Sequence, residues 1–383
     1  MNNEQTQSFS RQLNIKERLM TIIALSGEFP YTQMDRVGIT ETYAKQLRHR
    51  LYQSEKIHIQ YRNDLKGLVL NTNTLIGIKE RNPTRYKYIE VKSRQEASRR
   101  YRKHLFALTY CTLTNADIEF LPDKKPFVFS RSRQSQSYDA PRPLIKNSLL
   151  TDEPVFYSSV EIKYELEDYV QQIRNSAMMG LIQTRTDCYL LYNIHNNRYP
   201  LGFATENKAG ILTQNGEFIN VKPDRSSHAI MLVDGFETAT EMIIGNRKKK
   251  IRPSSVILNQ AFRHIYIVPE TPDGDMQLFV MCHKDYSDSV DEAFKENFKD
   301  GTVDFATIND GFDDEGHPVL NACSCEITRL FKFKQGLLVN NLTGRILCYD
   351  FQMDFIAQIM APAKIVFNHI KINGNYSAPT PKA

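Results

Sequence analysis

Apolar residues first recur at helical spacing in residues 11–25, RQLNIKERLMTIIAL. There Leu13, Leu19, Ile22 and Ile23 fall near one face, with Arg11, Lys16, Glu17 and Arg18 largely elsewhere. Ser26-Gly27-Glu28-Phe29-Pro30 ends that helix through its glycine and proline. A short helix over Thr32–Val37, a turn at Gly38 and an N-cap at Thr40 lead into a helix from Glu41 to about Gln53, whose Tyr43, Leu47 and Leu51 turn inward. The period then changes to two in Lys56–Tyr61, Asn63-Asp64 supplies turn chemistry, and Gly67–Leu70 returns. Three helices, a tight turn before the third, and a hairpin behind it predict a winged helix-turn-helix.

Further along, Thr72–Lys79 and Arg94–Thr109 read as helices, and Lys124–Pro154, rich in Ser, Arg, Pro and Gln, reads as a linker. From Pro154 the pattern is mixed α/β. Strands are expected at Val155–Val160, Cys188–Asn193, Leu201–Thr205, His228–Val233, Phe262–Val268, Gln277–Cys282 and Gly336–Asn340; helices are expected at Tyr164–Met178, Phe236–Ile244 and Asp288–Phe298. The expected class is therefore a multidomain α+β or α/β chain. Its parts are a winged helix-turn-helix over 1–90, a basic helix and linker over 91–153, a mixed α/β domain over 154–285, and an extension of unknown role over 286–383.

Composition adds that 383 residues with 41% hydrophobic content support real cores. No stretch reaches the roughly 18 apolar residues of a membrane span, and the start MNNEQTQSFSRQ lacks a signal-peptide core, so a cytoplasmic protein without a membrane partner is expected. Six dispersed cysteines argue against a disulfide scaffold, and the Cys323-x-Cys325 pair reads as two residues of one strand facing the same side.

Charge changes the picture more. Residues 1–110 hold 20 Lys and Arg against 10 Asp and Glu, whereas the remainder holds 29 against 34. A basic front on a mildly acidic body points to a polyanionic partner, double-stranded DNA first among them. In the third helix Lys45, Gln46, Arg48, His49 and Arg50 are the groove-facing candidates; Arg62 and Lys66 on the hairpin, and Arg99, Arg100, Arg102 and Lys103 beyond it, are candidates for phosphate.

One constellation suggests catalysis. Asp187, the run CYLLYN, and then Glu206-Asn207-Lys208 approximate the Asp…Glu-x-Lys core of PD-(D/E)xK nucleases. In such a core Asp187 and Glu206 would hold Mg²⁺ or Mn²⁺ and Lys208 would stabilise charge on a phosphate, with Glu161 or Glu165 as a further carboxylate. Without that activity no cofactor is expected. Nucleotide-binding and serine-hydrolase motifs are absent, the nine histidines are dispersed, and the acidic loop Asp310–Gly316 lacks EF-hand spacing.

The segments NDLKGLVLNTNTLIGIKERNPTRY, FYSSVEIKYEL, MMGLIQTRTDCYLLYN and HAIMLVDGF resemble proteins of Gram-positive conjugative and mobilisable elements. More distantly they are similar to the replication-relaxation family, over roughly residues 12–285. The resemblance implies a winged helix-turn-helix before a nuclease-like α/β domain, acting in replication, transfer or regulation of a mobile element. Alongside DNA binding it leaves open a metal-dependent nuclease or nicking accessory, and a non-enzymatic protein that recruits a relaxase, recombinase or host factor.

Overall fold

The structure is a computed structural model and describes residues 8–62, 64–89, 97–127, 153–165, 178–185, 187–195, 228–254, 262–301 and 308–370. Among them the fold is mixed α+β with three sheets.

The amino-terminal part begins with α1 (Phe9–Gln12) and α2 (Ile15–Ser26). Asn14 caps α2 by accepting from Glu17 N–H, and Gly27, at φ 83°, closes it in the left-handed conformation that a glycine adopts without a Cβ clash. A 3₁₀ turn at Met34–Val37 precedes α3 (Glu41–Gln53), whose N-cap is Thr40, accepting from Tyr43 N–H. The strands β1 (Phe29–Pro30), β2 (Ile57–Arg62) and β3 (Leu65–Leu70) form an antiparallel sheet in the order β1-β3-β2. Leu19, Ile22, Phe29, Met34, Leu47, Leu51, Ile57 and Leu68 bury together between these elements.

Two details differ from the periodicity. The apolar face of α3 runs through Ala44, Leu47 and Leu51, leaving Tyr43 half-buried. Arg18 is buried, because its guanidinium donates to the carbonyls of Val37 and Leu13 and so ties the start of the chain to the 3₁₀ turn.

After α4 (Thr72–Arg81), the long helix α5 (Ala97–Asn115) joins this part to a five-stranded sheet of β4 (Val155–Ser158), β5 (Met178–Gln183), β6 (Cys188–Ile194), β7 (His228–Val233) and β8 (His264–Pro269). The strands lie in sequence order; β4 to β6 are antiparallel, and β6 to β8 parallel. Both faces are covered, which explains the near-continuous apolar runs in β5, β7 and β8. On one face Phe156, Ile182, Leu191, Ile230 and Val268 pack with α5 and the amino-terminal core. On the other Tyr157, Leu181, Leu190, Met231 and Ile267 meet α7 (Phe236–Ile244) and residues from the end of the chain. The strand register puts these two sets on alternate positions. The short helix α6 is Ser159–Glu165.

Residues Gln277–Cys282 and Gly336–Asn340 are helical rather than extended: they are the ends of α8 (Pro272–Cys282) and α10 (Ile327–Asn340). Between these helices come α9 (Lys284–Asn297), β9 (Lys299–Asp300), β10 (Gly311–Phe312) and β11 (Pro318–Asn321). With β12 (Thr343–Tyr349), α11 (Met353–Met360) and β13 (Lys364–Ile370) they complete a second five-stranded sheet, β13-β12-β11-β10-β9, in which β11 to β13 are parallel. Leu330, Phe333, Ile346, Phe355 and Ile359 share one core with β4 to β8, so α10, β12 and α11 are packed onto the α/β body. Cys323 and Cys325 lie in a turn after β11, not in a strand, and are buried as free thiols whose pKa values burial raises.

Candidate nucleic-acid interface

Helix α3 is held at its inner face by aliphatic packing and at its start by Thr40, with Glu41 in the first turn and Arg50 in the last, both favourable to the helix dipole. That leaves Lys45, Gln46, His49 and Arg50 exposed and Arg48 half-buried. Lys45 pairs with Glu41 at 2.7 Å, but both ends stand in water, where such a pair contributes little and is readily exchanged.

Arg48 is placed more firmly. Its guanidinium sits 4.0 Å from the centre of the Tyr31 ring, and Lys66 Nζ lies 3.8 Å from the same ring. The backbone explains the convergence: Tyr31 follows directly on β1, and its N–H donates to Lys66 O at 3.1 Å on the neighbouring strand. A tyrosine that sequence periodicity did not single out thus gathers one cation from α3 and one from the hairpin. Arg50 approaches the Tyr43 ring at 5.6 Å. The hairpin adds exposed Arg62 and Tyr61, the latter 70% exposed, with Tyr61 opposite Lys66 across the ladder. Alternation along β2 was the signal for Tyr61, since it continues the row of Ile57 and Ile59 beyond the edge of the core.

The basic residues of α5 have a different fate. Arg100 is fully buried: its Nε donates to Glu28 Oε2 at 2.9 Å, and its other nitrogens reach Glu28 Oε1 and the carbonyls of Gln60, Arg62 and Leu65. His104 Nε2 lies 3.0 Å from the same carboxylate. Burial alone would raise the pKa of Glu28, but the hydrogen bonds from His104 and Arg100 and their charges hold it below the ordinary value. Gly67 is required beside this group, because a Cβ there would stand 2.1 Å from Glu28 Oε1. Arg102 donates to Ser159 Oγ and Met178 O, tethering α5 to the α/β sheet. Arg100 and Arg102 therefore do not form the phosphate track that the basic run suggested, because carbonyls and a carboxylate inside the molecule occupy their donors. Arg99 is exposed and Lys103 half-buried.

Of the nuclease-like constellation, Glu206 and Lys208 lie outside the described residues. Asp187, a third exposed, stands at the entry to β6 with His228 Nε2 4.0 Å from its carboxylate. Glu161 is committed to Ser158 and to buried Lys125, at 2.7 Å, and Glu165 to Lys87 and Tyr88. Neither is available as the additional metal-binding carboxylate. In the acidic loop, Asp313, Glu315 and His317 bring ligand atoms within 4.8 Å of one another. Asp313 accepts the N–H groups of Glu315 and His317 and is paired with Arg345, so an internal cation already answers its charge.

The dispersed histidines also converge. The parallel register of β7 and β8 stacks His228 on His264 at 4.5 Å, and His264 Nδ1 lies 2.6 Å from Glu326. At the opposite strand ends His195 Nε2 is 2.6 Å from Glu270; burial lowers its pKa, but the Glu270 bond and charge outweigh that and raise it. Comparison of the chain with protein-family models, curated proteins and solved structures returns no match.

Proposed function

We propose that residues 15–70 act as a winged helix-turn-helix that binds double-stranded DNA, in a protein serving the replication, transfer or regulation of a mobile genetic element. Helix α3 enters the major groove and the β2–β3 hairpin rests on the adjacent backbone. The observation that carries this reading is the Tyr31 ring, which gathers Arg48 of the helix at 4.0 Å and Lys66 of the hairpin at 3.8 Å from its centre. Two cations held against one aromatic ring are partly positioned before a phosphate arrives, which favours binding.

The other exposed side chains suit the same partner. Arg50 and Arg48 have the fork that reads guanine or clamps phosphate, Gln46 the paired donor and acceptor that read adenine, and Arg62 extends the contact to the backbone. The α/β body, joined to this part through α5, would serve assembly or partner docking. The mobile-element context rests on the sequence resemblance.

The test is fluorescence anisotropy of the whole protein on duplexes from its own genetic neighbourhood and on scrambled duplexes, at about 50 and 200 mM salt. We expect an affinity that falls steeply with salt. Salt-independent binding, or none on any duplex, would overturn the reading.

A further inference from the structure

The α/β body holds a cavity of about 250 Å³ whose lining includes Tyr189, Tyr266, Tyr349, Gln277, Asp291 and Glu326. It is remote in sequence from α3 and shares no residue with the basic surface of the amino-terminal part.

Gln277 is wholly buried, and its amide nitrogen donates to Ile267 O at 2.9 Å and Ser324 O at 3.0 Å. Those two acceptors fix which way round the amide lies, since a flipped group would set its oxygen against two carbonyls. Its Oε1 is left buried without a donor. Gln277 lines the cavity, and this unpaired acceptor can take a donor that enters there, water or ligand. Glu326 is also buried, with one oxygen held by His264 at 2.6 Å. Arg329, the cation on the wall, is engaged with Asp310.

The surroundings are electronegative. Burial, and next the charge of Asp310, raise the pKa of Asp291; burial, and next the charge of Glu326, raise that of Tyr266. The charges of Asp310 and Glu326 act against a further negative charge here, while burial, the larger cause of both shifts, opposes a charge of either sign. Three tyrosines add aromatic surface of the kind that attracts cations. A compact metal ion fits less well: among the described residues, the one group of three ligand atoms close enough to share an ion is Asp313, Glu315 and His317, elsewhere.

We propose that this cavity binds a small organic cation, a primary ammonium or a guanidinium, with Asp291 and Glu326 as counter-charges, Gln277 as hydrogen-bond acceptor and the tyrosines as walls. A cation carried on a short chain can meet these acceptors separately, which a single ion cannot.

The experiment is isothermal titration calorimetry of the full chain, free of DNA, with putrescine, spermidine and agmatine, beside a blocked arginine tripeptide. Glutamate and inorganic phosphate serve as anionic controls. Saturable binding of at least one cation is expected, weakened at least tenfold by Asp291→Asn or by Glu326→Gln, each variant checked for folding by circular dichroism. Should Glu326→Gln fail to fold, Asp291, a solvent-accessible residue lining the cavity, decides alone. Binding by the tripeptide only would keep the guanidinium chemistry and assign its source to a protein side chain. Absence of saturable heat with every cation, equal binding by the Asp291→Asn variant, or tighter binding of an anion would overturn the proposal. None of these outcomes depends on whether α3 binds DNA.

Discussion

Helices α3 and α5 are both strongly basic in sequence, one carrying KQLRHR and the other RRYRK, and they use their cations in opposite ways. In α3 the charged side chains project from a helix whose inner face is aliphatic, and among the described residues no buried carboxylate claims them. In α5 the first two turns meet Glu28 and the carbonyls of the hairpin turn, and Arg100 disappears into the core. A run of basic residues therefore says little by itself. What decides is whether the chain brings acceptors to it, and Glu28 is 72 residues away.

The sharpest way to test that contrast is to remove one arginine from each helix. Arg100→Met strands Glu28 and three carbonyls in the core, and should cost about 3–5 kcal/mol in urea unfolding, as breaking a buried pair does. Arg48→Glu together with Arg50→Glu should leave stability within about 0.5 kcal/mol while weakening duplex affinity by about 1–3 kcal/mol per lost contact. The salt slope of binding should fall by about 1 for each phosphate released. If Arg100→Met is as stable as the parent, or the α3 pair binds DNA unchanged, the division between the two helices collapses.

Gly67 probes the same buried pair from the hairpin side. Gly67→Ala puts a methyl group 2.1 Å from the place of Glu28 Oε1, and overpacking of this kind costs about 1–3 kcal/mol. Gly77, where an added Cβ would meet nothing within 4 Å, is the control: Gly77→Ala sits in α4 and should stabilise slightly, through helix propensity.

Acid and base separate the Arg100–Glu28 pair from a second one, His195 with Glu270. Glu28 has a depressed pKa in the fold, so its contribution is present above the unfolded value of about 4.3 and is lost as pH falls through the folded value. His195 has a raised pKa, so its contribution is present below about 6.5 and is lost as pH rises through the folded value. Unfolding free energies measured from pH 3 to 9, roughly the span of those two titrations, should decline at both ends. His195→Gln should flatten the alkaline decline and leave the acid one; an unchanged alkaline limb in that variant would show that His195 carries none of it.

The amino-terminal elements were legible because each carries its own punctuation. Thr40 caps α3, Gly27 closes α2, and the alternation of Lys56–Tyr61 before the turn residues Asn63-Asp64 marks the hairpin. The strand His228–Val233 and the helix Phe236–Ile244 also lie where the pattern puts them. Gln277–Cys282 and Gly336–Asn340 do not, because a short apolar run has no period of its own and takes its form from the helix that contains it. The site followed the same rule. Outward cations of α3 could be read locally, but the burial of Arg100, the stacking of His228 on His264, and the role of Tyr31 each depend on strands or helices that only the fold brings together.

Tyr31 offers the finest cut. Tyr31→Leu keeps apolar bulk against the amino-terminal core but removes the ring that Arg48 and Lys66 share, and it leaves the Arg100–Glu28 pair in place. A cation–π contact at an exposed site is worth about 0.5–1 kcal/mol. The variant should therefore lose about 0.5–2 kcal/mol of folding stability, for the two contacts the ring makes, and bind duplex DNA about two- to fivefold more weakly. Its salt slope should be unchanged, because both cations are still present and only their placement is lost. A reduced slope would instead mean that Tyr31 governs whether the two cations reach phosphate at all, and would make the platform, not the charge of α3, the determinant of the interface.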